Sequence, residues 1–389
     1  MKFSEIIAPY SVEEFFNEFY EKKPLHIKRD NPNYYHELIS PEELDLYLQL
    51  KGTYASNVKV AINGEEISPQ KFSKQVSNIS PYNADPKKLF SLFQTGHTIK
   101  YDKLHQTYPP LALKISQIEQ ELEFKLRTSV YITPPNSQGY GMHTDRHDVL
   151  ALQINGRKFW KVANSEEVLP SHYLEPIDVN WQDAENIETL EISAGDFFYC
   201  PRGLAHDVYT KEKSSTHFTI GFKPIYRYQL FDQLSKEAYN DEFFRYSIPT
   251  KFDSKESIQK FKNDWKSKFS KLIDQLSVDD LITKSQTILN NEQLNVTEGK
   301  FSNKFYEPNE TEEYVLNNSN WEWKLDKMTI KVSLNNKTFN LPLIIKDDIE
   351  KLFKGISTNL KEFGENLSQA QKRKLFKRLI EINLIKKAD

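Results

Sequence analysis

Cysteine is almost absent: the 389 residues contain one, Cys200. That excludes an internal disulfide framework and suits a reducing compartment. Charge of one sign is not in excess either. The formal net charge is −3, so no whole-chain attraction to nucleic acid or to a membrane surface follows. No uninterrupted apolar run reaches membrane-spanning length. The opening MKFSEIIAPYSVEEFF has no apolar segment of signal-peptide type. A cytoplasmic protein is therefore expected, and no membrane partner. Internal repeats and chromatin-reader signals are also missing.

What is present is enough apolar material for real cores. Hydrophobic residues make up 38% and aromatic residues 13%, which argues against global disorder. The length predicts two or three domains.

The N-terminal region opens with a helix signal. Ser11 and Glu14 fit a capping box, and Phe15, Phe16, Phe19 and Tyr20 follow on helical spacing. Pro24 ends that pattern and LHIKR reads as a strand. PEELDLYLQL and PLALKISQIEQELEF are further helical patterns. From about Ser129 short strands take over: SVYIT, HDVLALQI, RKFWKV, TLEIS, DFFYC and STHFTIGF. Their spacing predicts an antiparallel sandwich or barrel.

After Pro224 the texture changes again. Ile258, Phe261, Trp265, Phe269, Leu272 and Leu276 form one apolar stripe, which predicts an amphipathic helix. Residues 289–313 read as a polar linker. MTIKVSLNNKTFNLPLII is a hairpin candidate, and two helices follow it. The last carries Leu375, Leu379 and Ile382 on one side. A strand pair with helices in so short a segment resembles a small winged-helix module.

The chemistry gathers in YGMHTDRHDVLALQINGRKFW, Tyr140 to Trp160. On an extended strand residues i and i+2 share a face, so His143 and Asp145 can grip one ion together. Two imidazoles and a carboxylate on one face form the usual non-haem Fe(II) arrangement. The second imidazole has three candidates: His147, His206 and His217. On a straight strand His147 would lie roughly 13 Å from His143, too far to share an ion. His206 ends GDFFYCPRGLAH, where a strand, Pro201 and Gly203 could bring it back over a barrel mouth. His217 follows in STHFTIGF with a less clear role. An HxD pair alone is weak evidence, and these histidines could instead satisfy core hydrogen bonds.

Asn155-Gly156 is a strong signal for a two-residue type I′ hairpin turn, which would pair Gln153 with Lys158. A Lys beside Phe159 and Trp160 that faces inward is costly to bury without an anion. It is either a snorkelling surface lysine or an anchor for the carboxylate of a co-substrate. On a straight strand Lys158 would sit roughly 26 Å from Asp145. The two can cooperate only if the chain bends near residues 146–148 and crosses to the other sheet, as in jelly rolls.

Taken together, TPPNSQGYGMHTDRHDVLALQINGRKFWKV and GDFFYCPRGLAHDV resemble the JmjC-type, cupin-fold ribosomal oxygenases. FFNEFYEKKPLHI is also similar to how that family begins. The resemblance implies an α+β protein in three parts. Residues 1–225 would form a double-stranded β-helix catalytic domain with an N-terminal helical extension. Residues 226–292 would be a helical dimerisation segment, and 293–389 a winged-helix-like domain. It implies an enzyme dependent on Fe(II), 2-oxoglutarate and O2 that hydroxylates a side chain in a protein or peptide, a ribosomal protein among the candidates.

Carried over by position, His143, Asp145 and His206 match the iron ligands. Lys158 matches the residue that binds the far carboxylate of 2-oxoglutarate, and Tyr131 a tyrosine that helps hold it. Ser215 and His217 fall among further pocket positions without an assigned role. A homodimer through the Phe261–Trp265–Phe269 stripe is implied as well.

Two other readings compete. One is a tRNA or small-peptide-product hydroxylase. The other is a non-enzymatic cupin and winged-helix regulator that binds nucleic acid. Residues Asn366–Asp389 hold seven basic and two acidic side chains. A basic helix can track phosphates, although a solvated face is the commoner explanation. Trp321 and Trp323 are expected in sheet packing, Cys200 as a buried apolar residue, and Arg146 and Asp148 at the site entrance.

Overall fold

The structure is a computed structural model. It describes residues 1–389 except 50–54, 75–82, 123–124, 165–168, 172, 175–179, 276, 284–307, 309, 318–320, 328, 335–336, 383 and 389. Most of the expected linker 289–313, and Leu276 of the apolar stripe, therefore lie outside the described residues. The chain divides into two compact units, Met1–Ile225 and Tyr226–Asp389.

The first unit is built on antiparallel strands in two sheets. One sheet runs in the order Leu25–Ile27, Phe197–Cys200, Val149–Asn164, Ser215–Lys223, Lys125–Thr133, Thr98–Asp102 and Val58–Ile62. The other places Glu185–Ser193 and Ala205–Tyr209 on either side of Val149–Asn164, with the short strand His143–Thr144 beside Ala205–Tyr209. Val149–Asn164 belongs to both sheets. Its first half pairs with Phe197–Cys200 and Ser215–Lys223, its second half with Glu185–Ser193 and Ala205–Tyr209.

This overturns the expected hairpin turn at Asn155-Gly156. Asn155 and Gly156 are inside a continuous strand, with Gln153 opposite His217 and Lys158 opposite Ile192. A type I′ turn needs positive φ at both central residues. Here Gly156 has φ +69° and Asn155 is not among the positive-φ residues. The single left-handed residue, opposite a register shift between Thr216 and His217, turns the strand from one sheet into the other without reversing it. The crossing expected near 146–148 is present. His143–Thr144 is in the second sheet, and Val149 already pairs in the first.

Alternate residues of the long strand serve different cores. Leu150, Leu152 and Ile154 join the main core with Phe197, Phe218 and Phe222. Val149 and Ala151 join a smaller cluster with Trp160, Val162, Phe198 and Cys200. This explains why VLALQI, apart from Gln153, is apolar on both faces and does not alternate. The helix Val12–Glu18, capped by Ser11 and Glu14 as expected, closes the main core through Phe15, which packs edge-on against Tyr199.

The second unit contains the helix Lys255–Gln275, none of whose residues is buried. Trp265 is 44% exposed and stacks on Phe269 at 4.9 Å. The hairpin Thr329–Leu334 with Lys337–Pro342 forms, with Glu322–Leu325 as a third antiparallel strand. Tyr314–Leu316 pairs with Ile385–Lys387. Helices Lys346–Phe353 and Gln369–Glu381 pack over a core that includes Trp321, Phe363, Phe376 and Leu379. Trp321 and Trp323 are packing residues, as expected. The basic C-terminal stretch is largely engaged. Lys372 donates to the Lys361 carbonyl, and Arg373, Arg378 and Lys387 pair with Glu310, Glu381 and Glu312.

Candidate metal and anion site

The antiparallel pairing of His143–Thr144 with Ala205–Tyr209 places His206 directly opposite His143. Asp145 follows on the chain that leaves this strand. Ligating atoms of His143, Asp145 and His206 all lie within 4.8 Å of one another. His206 Nε2 is 3.7 Å from Asp145 Oδ2. The expected trio is thus brought together, with His206 on a strand and not on a loop over the mouth.

Both imidazoles are oriented by main-chain oxygens. His143 Nδ1 lies 2.8 Å from the Gly141 carbonyl, and His206 Nδ1 lies 3.0 Å from that of Leu204. A carbonyl only accepts, so Nδ1 carries the proton in each ring and Nε2 keeps its lone pair for the shared space. Trp160 stacks on His206 at 5.5 Å, and Cys200, buried as expected, puts Sγ 3.7 Å from His206 Nδ1. Burial, with His143 nearby, pulls His206 down to about 4, so it is neutral at pH 7. Burial acts to raise Asp145, but the surrounding His147, His206, His143 and Lys100 outweigh it and hold the carboxyl below its ordinary value.

These side chains open into a cavity of about 100 Å³. Lys158 and Tyr131 line it, as do His147 and His217. Lys158 is 2% exposed, donates to Thr133 Oγ1, and is pulled by burial from 10.5 to about 7. Tyr131 stacks parallel on His217 at 4.7 Å. His217 is held well below its ordinary value by burial, then by Lys158 and Lys100. His147 faces the cavity over Gly221 but is not one of the converging trio.

Three expectations need correction or completion. Asp148 is not at an entrance: it is fully buried, accepts a hydrogen bond from the Tyr199 hydroxyl, and is raised to about 6 by burial. Arg146 donates to the Leu174 carbonyl at 2.8 Å and does not line the cavity. Ser215 is likewise outside the cavity lining, where it accepts from Gln153 Nε2 at 2.8 Å. In the other direction, Lys100, Arg127, Thr133 and Tyr140 line the site and were missed. Lys100 and Arg127 come from strands with no motif of their own, and Thr133 and Tyr140 lie in the motif segment without an assigned role.

Residues 105–230 match the JmjC domain family. The chain is 31% identical over 214 residues to the Aedes aegypti bifunctional lysine-specific demethylase and histidyl-hydroxylase NO66, covering 54% of this chain and 32% of that protein. It is 28% identical over 222 residues to ribosomal oxygenase 1 of Danio rerio, covering 56% and 40%. Residues 105–230 are thus similar to JmjC domains, and the relatives are named as a bifunctional lysine-specific demethylase and histidyl-hydroxylase and as a ribosomal oxygenase. It spans about a third of the length of the curated relatives it matches.

Among solved structures it resembles Escherichia coli YcfD, with a TM-score of 0.52, 15% identity, and coverage of 98% of this chain and 99% of that one. A YcfD structure described as a ribosomal oxygenase in complex with cobalt and 2-oxoglutarate gives 0.50, at 16% identity and 97% and 98% coverage. These likenesses show the shared JmjC cupin fold.

Proposed function

We propose that this protein is an Fe(II)- and 2-oxoglutarate-dependent oxygenase that hydroxylates a side chain in a protein or peptide. The observation that carries the reading is the convergence of His143, Asp145 and His206, with both Nδ1 atoms committed to carbonyls. Two imidazoles and one carboxylate fit a divalent transition metal and leave coordination positions open.

The anion site fits as well. Lys158 is a buried cation beside a threonine hydroxyl, with burial the one influence on its charge. A carboxylate arriving there would restore its ordinary affinity for the proton. Trp160 Nε1 and His217 Nδ1 line the same cavity, and among the described residues neither has a hydrogen-bond partner. They are donor or acceptor positions open to a ligand. Lys158, with Thr133 and Tyr131 around it, would hold the far carboxylate of 2-oxoglutarate, and the trio would hold iron. When bound, iron and 2-oxoglutarate together reduce O2 and deliver one oxygen atom to a C–H bond. The chain's own part is to fix the ligand geometry, neutralise the co-substrate's charge, and exclude water with Trp160, Val149 and Val208.

The target class rests on the relatives, whose names specify lysine demethylation, histidyl hydroxylation and ribosomal oxygenation; of these we carry over the hydroxylation. A ribosomal protein is the first candidate. A scaffold that binds nucleic acid without turnover would have no use for a buried lysine whose partner is a threonine hydroxyl and not a carboxylate. The same reading makes 226–292 a dimerisation segment and 293–389 a winged-helix-like module. No helix among the described residues is long and apolar enough to cross a membrane.

The test is to incubate iron-loaded protein with 2-oxoglutarate and lysate from a host lacking its gene. Succinate release with one oxygen atom gained on a polypeptide, seen by mass spectrometry, is expected. No succinate under any iron and co-substrate concentration would end the reading.

A further inference from the structure

Tyr131 and Tyr140 meet edge to face in the cavity wall, with centroids 6.4 Å apart and planes at 80°. Paired aromatic faces lining a cavity are the arrangement that captures alkylated ammonium ions. In this protein the position is taken from within. Lys100 Nζ lies 5.1 Å from the Tyr131 centroid and 5.9 Å from that of Tyr140.

Lys100 is tied there. Its Nζ is 3.4 Å from Asp102 Oδ1, Arg127 is 3.3 Å from Asp102 Oδ2, and Ser129 donates to Oδ1 at 2.6 Å. Burial acts to raise Asp102, but Lys100, Ser129 and Arg127 outweigh it and keep the anchor ionised. Tyr131 cannot swing away easily, because it stacks on His217. The charge count points the same way. Asp145, Lys158, a divalent ion and a dicarboxylate would balance one another. Lys100 and Arg127 then share Asp102, while Glu66, the other carboxylate that reaches Tyr140, is paired with Lys59, which leaves an excess of one positive charge.

We propose that Lys100 is a specificity-determining residue, the internal occupant of a Tyr131–Tyr140 aromatic cage, and that it excludes lysine, methyl-lysine and arginine side chains from the site. The acceptor side chain is then uncharged. The consequence for substrate choice rests on the oxygenase reading, whereas the occupied cage is a binding property that needs no iron.

The experiment titrates metal-free protein with choline and with its uncharged isostere 3,3-dimethylbutan-1-ol, followed by saturation-transfer NMR. Wild type is expected to show no preference for choline. Lys100→Met should bind choline about tenfold more tightly than wild type, and adding Tyr140→Leu should abolish the gain. Lys100→Arg should still exclude it. Should Lys100→Met fail to fold by circular dichroism, Lys100→Gln, which keeps a donor to Asp102, carries the same expectation. Wild type that prefers choline, or a folded Lys100→Met that gains nothing, overturns the proposal. So does oxygen found on a lysine or arginine in the lysate experiment, or a methyl group lost from methyl-lysine with release of formaldehyde. Failure of wild type to release succinate would sink the oxygenase reading and leave the choline result standing.

Discussion

His143 and His206 face each other across one antiparallel strand pair, with ring centroids 4.3 Å apart and Asp145 Oδ2 beside the second ring. Removing any one of the three donors breaks the set. His143→Ala, Asp145→Ala and His206→Ala are each expected to weaken Co(II) binding more than about a hundredfold. Calorimetric titration of the folded variants measures this. A variant that keeps wild-type affinity would place the metal elsewhere.

Lys158 makes co-substrate binding depend on pH. Its folded value is depressed from 10.5 to about 7, so the free amine is largely neutral above pH 7. A dicarboxylate binding there must bring a proton with it. Its affinity should fall by up to about tenfold per pH unit above 7. Titration in buffers of different ionisation enthalpy reads the proton uptake directly.

The same residue carries a stability signature. Between about pH 7 and 10.5 the unfolded chain holds a proton on Lys158 that the folded chain lacks. By this group alone the ligand-free protein gains stability as pH rises through that window, and the penalty is complete below it. Lys158→Met should therefore melt higher than wild type, with the largest difference at or below pH 7, while losing 2-oxoglutarate binding. Scanning calorimetry at pH 6 and pH 9 tests the sign.

Gly156 is constrained twice. Its φ is +69°, and a Cβ there would lie 2.0 Å from the Ser214 carbonyl oxygen. Gly156→Ala should cost several kcal/mol, about 2–4, because backbone and not a pliable side chain must move. Urea unfolding measures this.

The helix Lys255–Gln275 leaves Trp265 and Phe269 stacked and half open to solvent. If 226–292 pairs two copies, Trp265→Glu should convert a dimer to a monomer in sedimentation velocity with succinate release retained. A wild type that sediments as a monomer at all concentrations would remove the dimer reading.

The trio could be read from the sequence only in context: HxD alone is weak evidence, and the surrounding family-like segments singled out His206 among three candidate histidines. Apolar strands such as DFFYC and STHFTIGF were equally plain. Asn155-Gly156 misled because the dipeptide signals reversal only when both residues take positive φ, and strand pairing on both sides kept Asn155 extended. Lys100 and Arg127 left no trace. They come from strands that begin well before the motif, and only the register of Thr98–Asp102 against Lys125–Thr133 brings them to the cavity.

The acceptors that steer the two imidazoles are peptide oxygens of Gly141 and Leu204. No point mutation can delete them. Selection or engineering at this centre can reach ring orientation only by reshaping the chain path through 141 and 204, so homologous sites are free to vary the side chains there while preserving how the ion is presented.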